Sequence, residues 1–157
     1  MTPAEYIDEI VVPTILEFKA CRRSRRYAYL ACITTFHIKD HLKVAGATGI
    51  ETAIRAEVSS AFDVVRAICN GTKHVETDSS HSIPFRVGDD TDRPPAIWGE
   101  MVWDVSHWDD EDGGREVSVG ENRVDIYECV RAVVAAFKAR FSTYLGSCDL
   151  SVLDSEP

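Results

Sequence analysis

The chain has 157 residues, of which 45% are hydrophobic and 27% are charged, as in an ordinary globular domain. It contains no run of about 18 apolar residues, which argues against a membrane span. The first residues, MTPAEYIDEIVV, lack the basic and apolar regions of a secretory signal. We therefore expect a soluble cytoplasmic protein.

The net charge of −9 is unevenly distributed along the chain. Residues 1–49 have a balance of +2, and residues 50–157 have a balance of −11. Because nucleic acids bind basic surfaces, this distribution makes them unlikely partners. The exception is a cluster of four arginines: Arg22, Arg23, Arg25 and Arg26. We interpret it as the solvated start of a helix, with a patch for anions or nucleic acid as the alternative.

The five cysteines are dispersed and form no CxxC pair. Cys32, Cys69 and Cys129 fall at apolar positions of helical patterns, where a free thiol behaves as a small hydrophobic group. The arrangement predicts reduced thiols rather than a disulfide framework or a thiolate zinc site. We expect no cofactor.

The first predicted helix has clear start signals. Thr2 and Glu5 have the spacing of a capping box, and Pro3 occupies the first helical position. Pro13 is expected to kink or divide this helix, because proline lacks the backbone N–H that a helix interior needs.

Two longer helices are predicted next. The segment from Arg23 to Lys43 places apolar residues and histidines at three- and four-residue steps, which predicts one helical face. The segment from Ile50 to Cys69 carries an apolar stripe of the same period. We expect Asn70-Gly71 to end the third helix, since both residues tolerate the left-handed conformation found at helix C-termini.

Helical periodicity stops in residues 83–119. Glycine, proline and acidic residues become frequent, and the predicted strands are Ile83–Val87, Ile97–Val105 and Glu116–Val119. The acidic tract Asp109–Gly114 does not have the ligand spacing of an EF-hand calcium loop. We interpret residues 83–119 as a β-hairpin-like insertion.

The last predicted helix runs from Ile126 to Leu145 with a nearly continuous core-facing stripe, and residues 146–157 form a C-terminal tail. The sequence therefore predicts a mainly α fold in one domain, residues 1–157. Its architecture is a four-to-five-helix up-and-down bundle with a small antiparallel β insertion before the last helix.

One candidate site is the last turns of the second helix. His37 and His41 are four residues apart, which places two imidazoles on one helix face, and Asp40 lies one turn from His37. Such a pair can ligate a metal, although a third ligand is not evident from the sequence. The alternative is that both histidines bind other protein groups or face solvent.

A second candidate site is RAICNGTKH, which begins at Arg66 and also contains Asn70, Lys73 and His74. Within a small helical bundle, this segment resembles the HEPN superfamily, whose nucleases use an arginine and a histidine on one helix. The resemblance implies that Arg66 binds phosphate and that His74 acts in acid–base chemistry, with a homodimer pairing two sites. Seven residues separate the two here, and Ala67 stands where the family has a polar residue. The alternative is that Arg66 pairs with Asp63 on the helix surface, while Lys73 and His74 complement the negative C-terminal end of the helix dipole.

The third candidate is the set of tryptophans in the insertion, Trp98, Trp103 and Trp108, which recur at five-residue spacing. A regular strand cannot place all three on one face. We therefore expect some of them to cover the bundle and at least one to be exposed, where tryptophan anchors protein contacts. Burial of all three in the core is the alternative.

These candidates give three functional hypotheses. The first is a non-catalytic binding or assembly module that contacts a protein partner or a second copy of itself. The second is a HEPN-like ribonuclease, or an inactive relative, with RNA as partner. The third is a metal-binding bundle that uses His37 and His41. The sequence leaves open whether the protein is an enzyme.

Overall fold

The computed structural model describes residues 1–74, 76–77 and 83–154, and in residues 73, 74, 76 and 77 it describes the backbone only. The fold is mainly α-helical, with a small antiparallel sheet before the last helices, so the predicted fold class is confirmed. In chain order the elements are α1 (Pro3–Tyr6), a π-helical turn (Ile7–Val11), α2 (Val12–Ala20), α3 (Arg25–Val44), α4 (Ile50–His74), β1 (Glu76–Thr77), β2 (Phe85–Arg86), β3 (Thr91–Arg93), β4 (Gly114–Val119), β5 (Asn122–Asp125), α5 (Ile126–Arg140), α6 (Ser142–Leu145) and α7 (Ser151–Asp154).

The start of the chain has the predicted capping box. The Thr2 hydroxyl accepts a hydrogen bond from the Glu5 amide, and the Glu5 carboxylate accepts one from the Thr2 amide. Pro13 lies in the first turn of α2, directly after the π-helical turn. The wider turn accommodates the missing proline N–H, so the helical run is reorganised at this point rather than broken.

The helix α4 bends sharply at Val58, whose backbone angles of −139° and 49° are not helical. Two ion pairs join residues on either side of the bend: Arg55 with Asp63 at 2.6 Å, and Arg66 with Glu51 at 3.6 Å. A straight helix would place Glu51 and Arg66 about 22 Å apart along its axis, farther than their side chains can span. The bend therefore brings the two halves of α4 together.

The predicted helix stop at Asn70-Gly71 is wrong, because α4 continues to His74. Gly71 serves a packing role within the helix. A Cβ atom on Gly71 would lie 2.5 Å from Cδ1 of Phe85, so the glycine lets the buried Phe85 ring approach the helix backbone. This tertiary contact outweighs the local preference of an Asn-Gly pair for a helix end.

The strands form two antiparallel sheets, one of β1 and β2 and one in the order β3-β4-β5. In the larger sheet Arg93 lies opposite Gly114, and Glu116 lies opposite both Thr91 and Asp125. The predicted strand Ile97–Val105 is wrong, since this segment consists of turns. The strands β3 and β5 were not predicted, and the sheet extends beyond the predicted insertion to the start of α5.

The helices enclose one apolar core, and the tail docks onto it through Cys148 and Leu153, which are both buried. Among the described residues, no helix combines the length and apolar character needed to cross a membrane. The largest fully buried apolar side chains come from every long helix, from the π-helical turn and from α6: Ile7, Ile15, Phe18, Ile38, Leu42, Ile54, Phe62, Ile68, Ile126, Phe137 and Leu145.

Candidate interaction surface

All three tryptophans lie in residues 94–113, the segment between β3 and β4, which we call the tryptophan loop. Trp98 is fully exposed, and Trp103 and Trp108 are 73% and 75% exposed. The rings of Trp103 and Trp108 meet edge to face, with centroids 6.0 Å apart. None of the three covers the bundle, contrary to the expectation for some of them. Exposed Ile97 and Val102 extend the apolar surface of the loop.

The tryptophan loop is held in shape by its own hydrogen bonds. The Ala96 amide donates to the Asp110 carbonyl at 2.6 Å and closes the neck of the loop. The Ser106 hydroxyl donates to the Pro95 carbonyl at 3.3 Å and accepts from the Val102 amide at 3.0 Å. These hydrogen bonds hold the backbone that carries the indoles in place, although the tryptophan loop contains no strand or helix.

An ionic cluster centred on Arg93 lies beneath the loop. The Arg93 side chain is 5% exposed; its Nε lies 2.7 Å from Glu116 Oε1, and its Nη2 donates to Asp125 Oδ2 at 2.7 Å. Its Nη1 contacts Asp110, the residue that closes the neck of the loop. Arg93 therefore ties the loop to the sheet and to Asp125, which caps α5 by accepting from the Tyr127 and Glu128 amides.

A second ionic centre is the buried carboxylate of Asp90. It accepts hydrogen bonds from the Tyr29 hydroxyl at 2.5 Å, from Arg25 Nε at 2.9 Å and from Arg115 Nε at 2.7 Å. Tyr29 and Arg25 belong to α3, whereas Arg115 belongs to β4, so Asp90 joins the bundle to the sheet. Its burial is tolerated because hydrogen bonds and opposite charges surround it.

The surroundings of Asp90 shift two titrations in opposite directions. Burial raises the pKa of Asp90, but the hydrogen bonds from Tyr29, Arg115 and Arg25 outweigh it, so the pKa lies below its ordinary value. Burial is the main cause that raises the pKa of Tyr29 to about 12, and its bond to Asp90 adds to the effect. Asp90 is therefore held ionised and Tyr29 neutral across the physiological range.

The arginine cluster belongs to this same junction. Arg22 pairs with Asp125 at 2.9 Å, Arg23 pairs with Asp92 at 2.7 Å, and Arg25 pairs with Asp90. Arg23 and Arg25 are exposed, as expected for a solvated helix start, whereas Arg22 is largely buried; all three also form ion pairs, which the sequence did not predict. Their charges are also matched by acids of the sheet region, so they do not form an open basic patch.

The exposed rim of the tryptophan loop is acidic. Asp104, Asp109, Glu111 and Asp112 are all exposed, and none has an ion pair with another described residue. Asp104 and Asp109 have positive φ angles of 61° and 66°, a conformation that aspartate and asparagine tolerate better than most residues. Asp104 and Asp109 directly follow Trp103 and Trp108 in the chain, whereas Asp112 lines a small cavity near the arginine cluster.

The predicted His37–Asp40–His41 site is divided between different contacts. His37 Nδ1 lies 2.7 Å from Asp40 Oδ2, whereas the His41 ring stacks on Tyr6 with centroids 3.8 Å apart. The part of the chain that the structure describes holds no group of three or more His, Cys, Asp or Glu side chains that could bind a metal. Metal binding by His37 and His41 stays a prediction without a third ligand.

The predicted RNA site lies at the C-terminal end of α4. Arg66 is partly buried and lies 3.6 Å from Glu51, a carboxylate that Lys39 also binds at 2.6 Å, whereas Asp63 pairs with Arg55. Asn70 is partly buried on the same helix. The side chains of Lys73 and His74 lie outside the described residues, so the proposed pairing of Arg66 with His74 stays a prediction.

Sequence reasoning identified the tryptophans but missed Arg93, Asp90, Arg115 and Glu116, which are all buried. The one signal that could have suggested them is that acidic and basic residues occur together in two short segments, GDDTDR and GREVSV, in a chain that also has a cluster of arginines. Comparisons of the chain with protein-family models, with curated proteins and with solved structures find no match.

Proposed function

We propose that the protein is a non-catalytic binding module that contacts a protein partner through the tryptophan loop. The observation that carries this proposal is the exposure of all three tryptophans in one short segment. Large exposed apolar groups contribute little to the stability of the free protein, whereas tryptophan is among the residues that contribute most to protein interfaces.

The hydrogen bonds and ion pairs at the base of the tryptophan loop support the same proposal. Hydrogen bonds at the neck and the ion pairs of Arg93 hold the indoles on an ordered backbone. A binding surface that is ordered before contact loses less conformational entropy when the partner binds. The aromatic groups are also close enough together for one partner to contact several, since Trp103 and Trp108 touch.

The test is a variant in which Trp98, Trp103 and Trp108 are all replaced by alanine. A protein captured by the parent chain from a lysate of the producing cells is identified, purified and titrated against both forms. We expect the triple variant to bind it at least about a hundredfold more weakly, because anchoring tryptophans each contribute about 2 kcal/mol or more. The free energy of unfolding should change by less than about 1 kcal/mol, as at other exposed positions.

The matched control replaces three exposed apolar residues elsewhere, Leu16, Val44 and Val152, by alanine. This control should bind the captured protein as the parent does. Equal binding by the parent and the tryptophan variant would refute the proposal. A loss of several kcal/mol of stability in the tryptophan variant would also refute it, since the indoles would then be packing groups.

We also propose that the protein acts in the cytoplasm. The support is the dispersed set of five cysteines, all free and four of them buried, which suits a reducing compartment.

A further inference from the structure

Resting on the proposed function, we infer that the partner presents a basic segment, rich in arginine or lysine, to the tryptophan loop. Cationic side chains would lie against the indole faces while their charges approach the carboxylates of the rim. The inference joins two properties of the same short segment, its exposed aromatic rings and its uncompensated acids.

The charge of the loop is the first argument. Residues 94–113 contain six acidic residues and no lysine or arginine. Two of the acids, Glu100 and Asp110, are paired with Arg23 and Arg93 at the base. The remaining four form the exposed rim and have no ion pair with another described residue. A positive partner segment is the chemical complement of this rim.

The indoles are the second argument. Tryptophan is the aromatic side chain that attracts cations most strongly over its ring face. Trp98 is fully exposed, and Trp103 and Trp108 touch edge to face, which leaves indole faces open to solvent. Arginine suits such a site best, because its planar guanidinium can stack on a ring while its N–H groups donate to a carboxylate.

The same charges argue against a second copy of the chain as the occupant. Two tryptophan loops facing each other would bring their unpaired acidic rims together, and like charges across an interface are unfavourable. Arg22, Arg23 and Arg25, at and just before the start of α3, already pair with Asp125, Asp92 and Asp90 and so are not free to compensate the two acidic rims.

The experiment uses the full chain and a labelled peptide in which arginine alternates with leucine. Its matched probe is the same peptide with every arginine replaced by citrulline, which keeps the shape and removes the charge. One protein variant combines Asp104→Asn, Asp109→Asn and Glu111→Gln at the rim. The control variant combines Glu9→Gln, Glu17→Gln and Glu121→Gln, three exposed acids outside the loop, and changes the net charge equally.

We expect the arginine peptide to bind the parent and the control variant alike, and the rim variant about tenfold more weakly. The citrulline peptide should bind the parent more weakly than the arginine peptide, and the difference should shrink as salt is added. The triple tryptophan variant should bind neither peptide. Together these results would support a basic partner.

Three outcomes would overturn the inference. Equal binding of the two peptides, lost in the tryptophan variant, would remove the cationic partner while leaving the loop as a binding surface. If neither peptide bound the parent but the captured partner still required the tryptophans, the loop would remain a binding surface and the basic partner segment would be refuted. A dimer in sedimentation that the tryptophan substitutions abolish would make a second copy the occupant.

Discussion

Replacing Arg93 by alanine should lower the free energy of unfolding by about 3–5 kcal/mol, the usual result of removing one partner from a buried ionic cluster. The substitution removes the cation of Asp110 and of Glu116, which is only 2% exposed, and leaves Asp125 paired with Arg22 alone. Urea unfolding at neutral pH measures the loss. Hydrogen exchange should also become faster at the Ala96 amide, since Asp110 would no longer be held at the neck of the loop.

The matched control is Arg123→Ala. Arg123 is an exposed arginine of β5, in the same sheet, with no ion pair to another described residue. We expect it to change stability by no more than about 0.5 kcal/mol, as surface substitutions commonly do. Similar losses for both variants would show that the Arg93 cluster does not hold the loop to the bundle.

Replacing Asp90 by asparagine should also cost about 3–5 kcal/mol at neutral pH, because it leaves the buried Arg115 without its main counter-charge. Asparagine also replaces one acceptor oxygen by a donor, which faces either the Tyr29 hydroxyl or Arg115. The control is Asp104→Asn, at an exposed position where asparagine tolerates the left-handed backbone. This control should unfold at the urea concentration of the parent.

The contribution of Asp90 to the free energy of unfolding should decrease as the pH is lowered. Its pKa is lower in the folded chain than in the unfolded chain, where it is close to 4. The stabilisation is therefore fully present above about pH 4 and is lost as the pH falls through the folded pKa. Unfolding curves at decreasing pH should show the advantage of the parent over Asp90→Asn shrinking in acid. A difference that stays constant down to about pH 2 would contradict the role assigned to the carboxylate.

Local signals in the sequence were sufficient to locate the long helices, although the predicted last helix, Ile126 to Leu145, is divided at Phe141 into α5 and α6 because the backbone there is not helical. The capping box of Thr2 and Glu5 and the apolar stripes of α3 and α5 describe elements that the structure contains. These local signals failed where contacts between distant segments of the chain determine where an element ends. Asn70-Gly71 has the local properties of a helix end, yet Phe85 packs on Gly71 and the helix continues.

The segment Ile97–Val105 failed for a related reason. Its apolar and aromatic residues suit a strand, but a strand also needs a neighbour that supplies hydrogen bonds. Gly99 and Asp104 instead adopt positive φ angles of 93° and 61°, which turn the chain and leave the tryptophans exposed. Composition alone could not distinguish an apolar strand from an apolar loop.

The sequence identified the aromatic residues of the candidate surface but not the buried ion pairs that hold the tryptophan loop to the bundle. The arginine cluster was evident, yet the acids that match Arg25 and Arg22 lie 65 and 103 residues further along the chain. The partners of Arg93 are likewise spread over the loop, β4 and the start of α5. With acids frequent throughout residues 50–157, spacing could not indicate which of them would become buried.

Binding through the tryptophan loop requires that all three indoles face water in the free protein. The chain has only these three tryptophans, so its tryptophan fluorescence reports the loop alone. Acrylamide quenching of dilute protein should therefore give one linear, highly accessible population, with an emission maximum close to that of a free tryptophan derivative in water. Blue-shifted emission with a fraction protected from the quencher would show that an indole is buried, and would contradict the tryptophan loop as a binding surface.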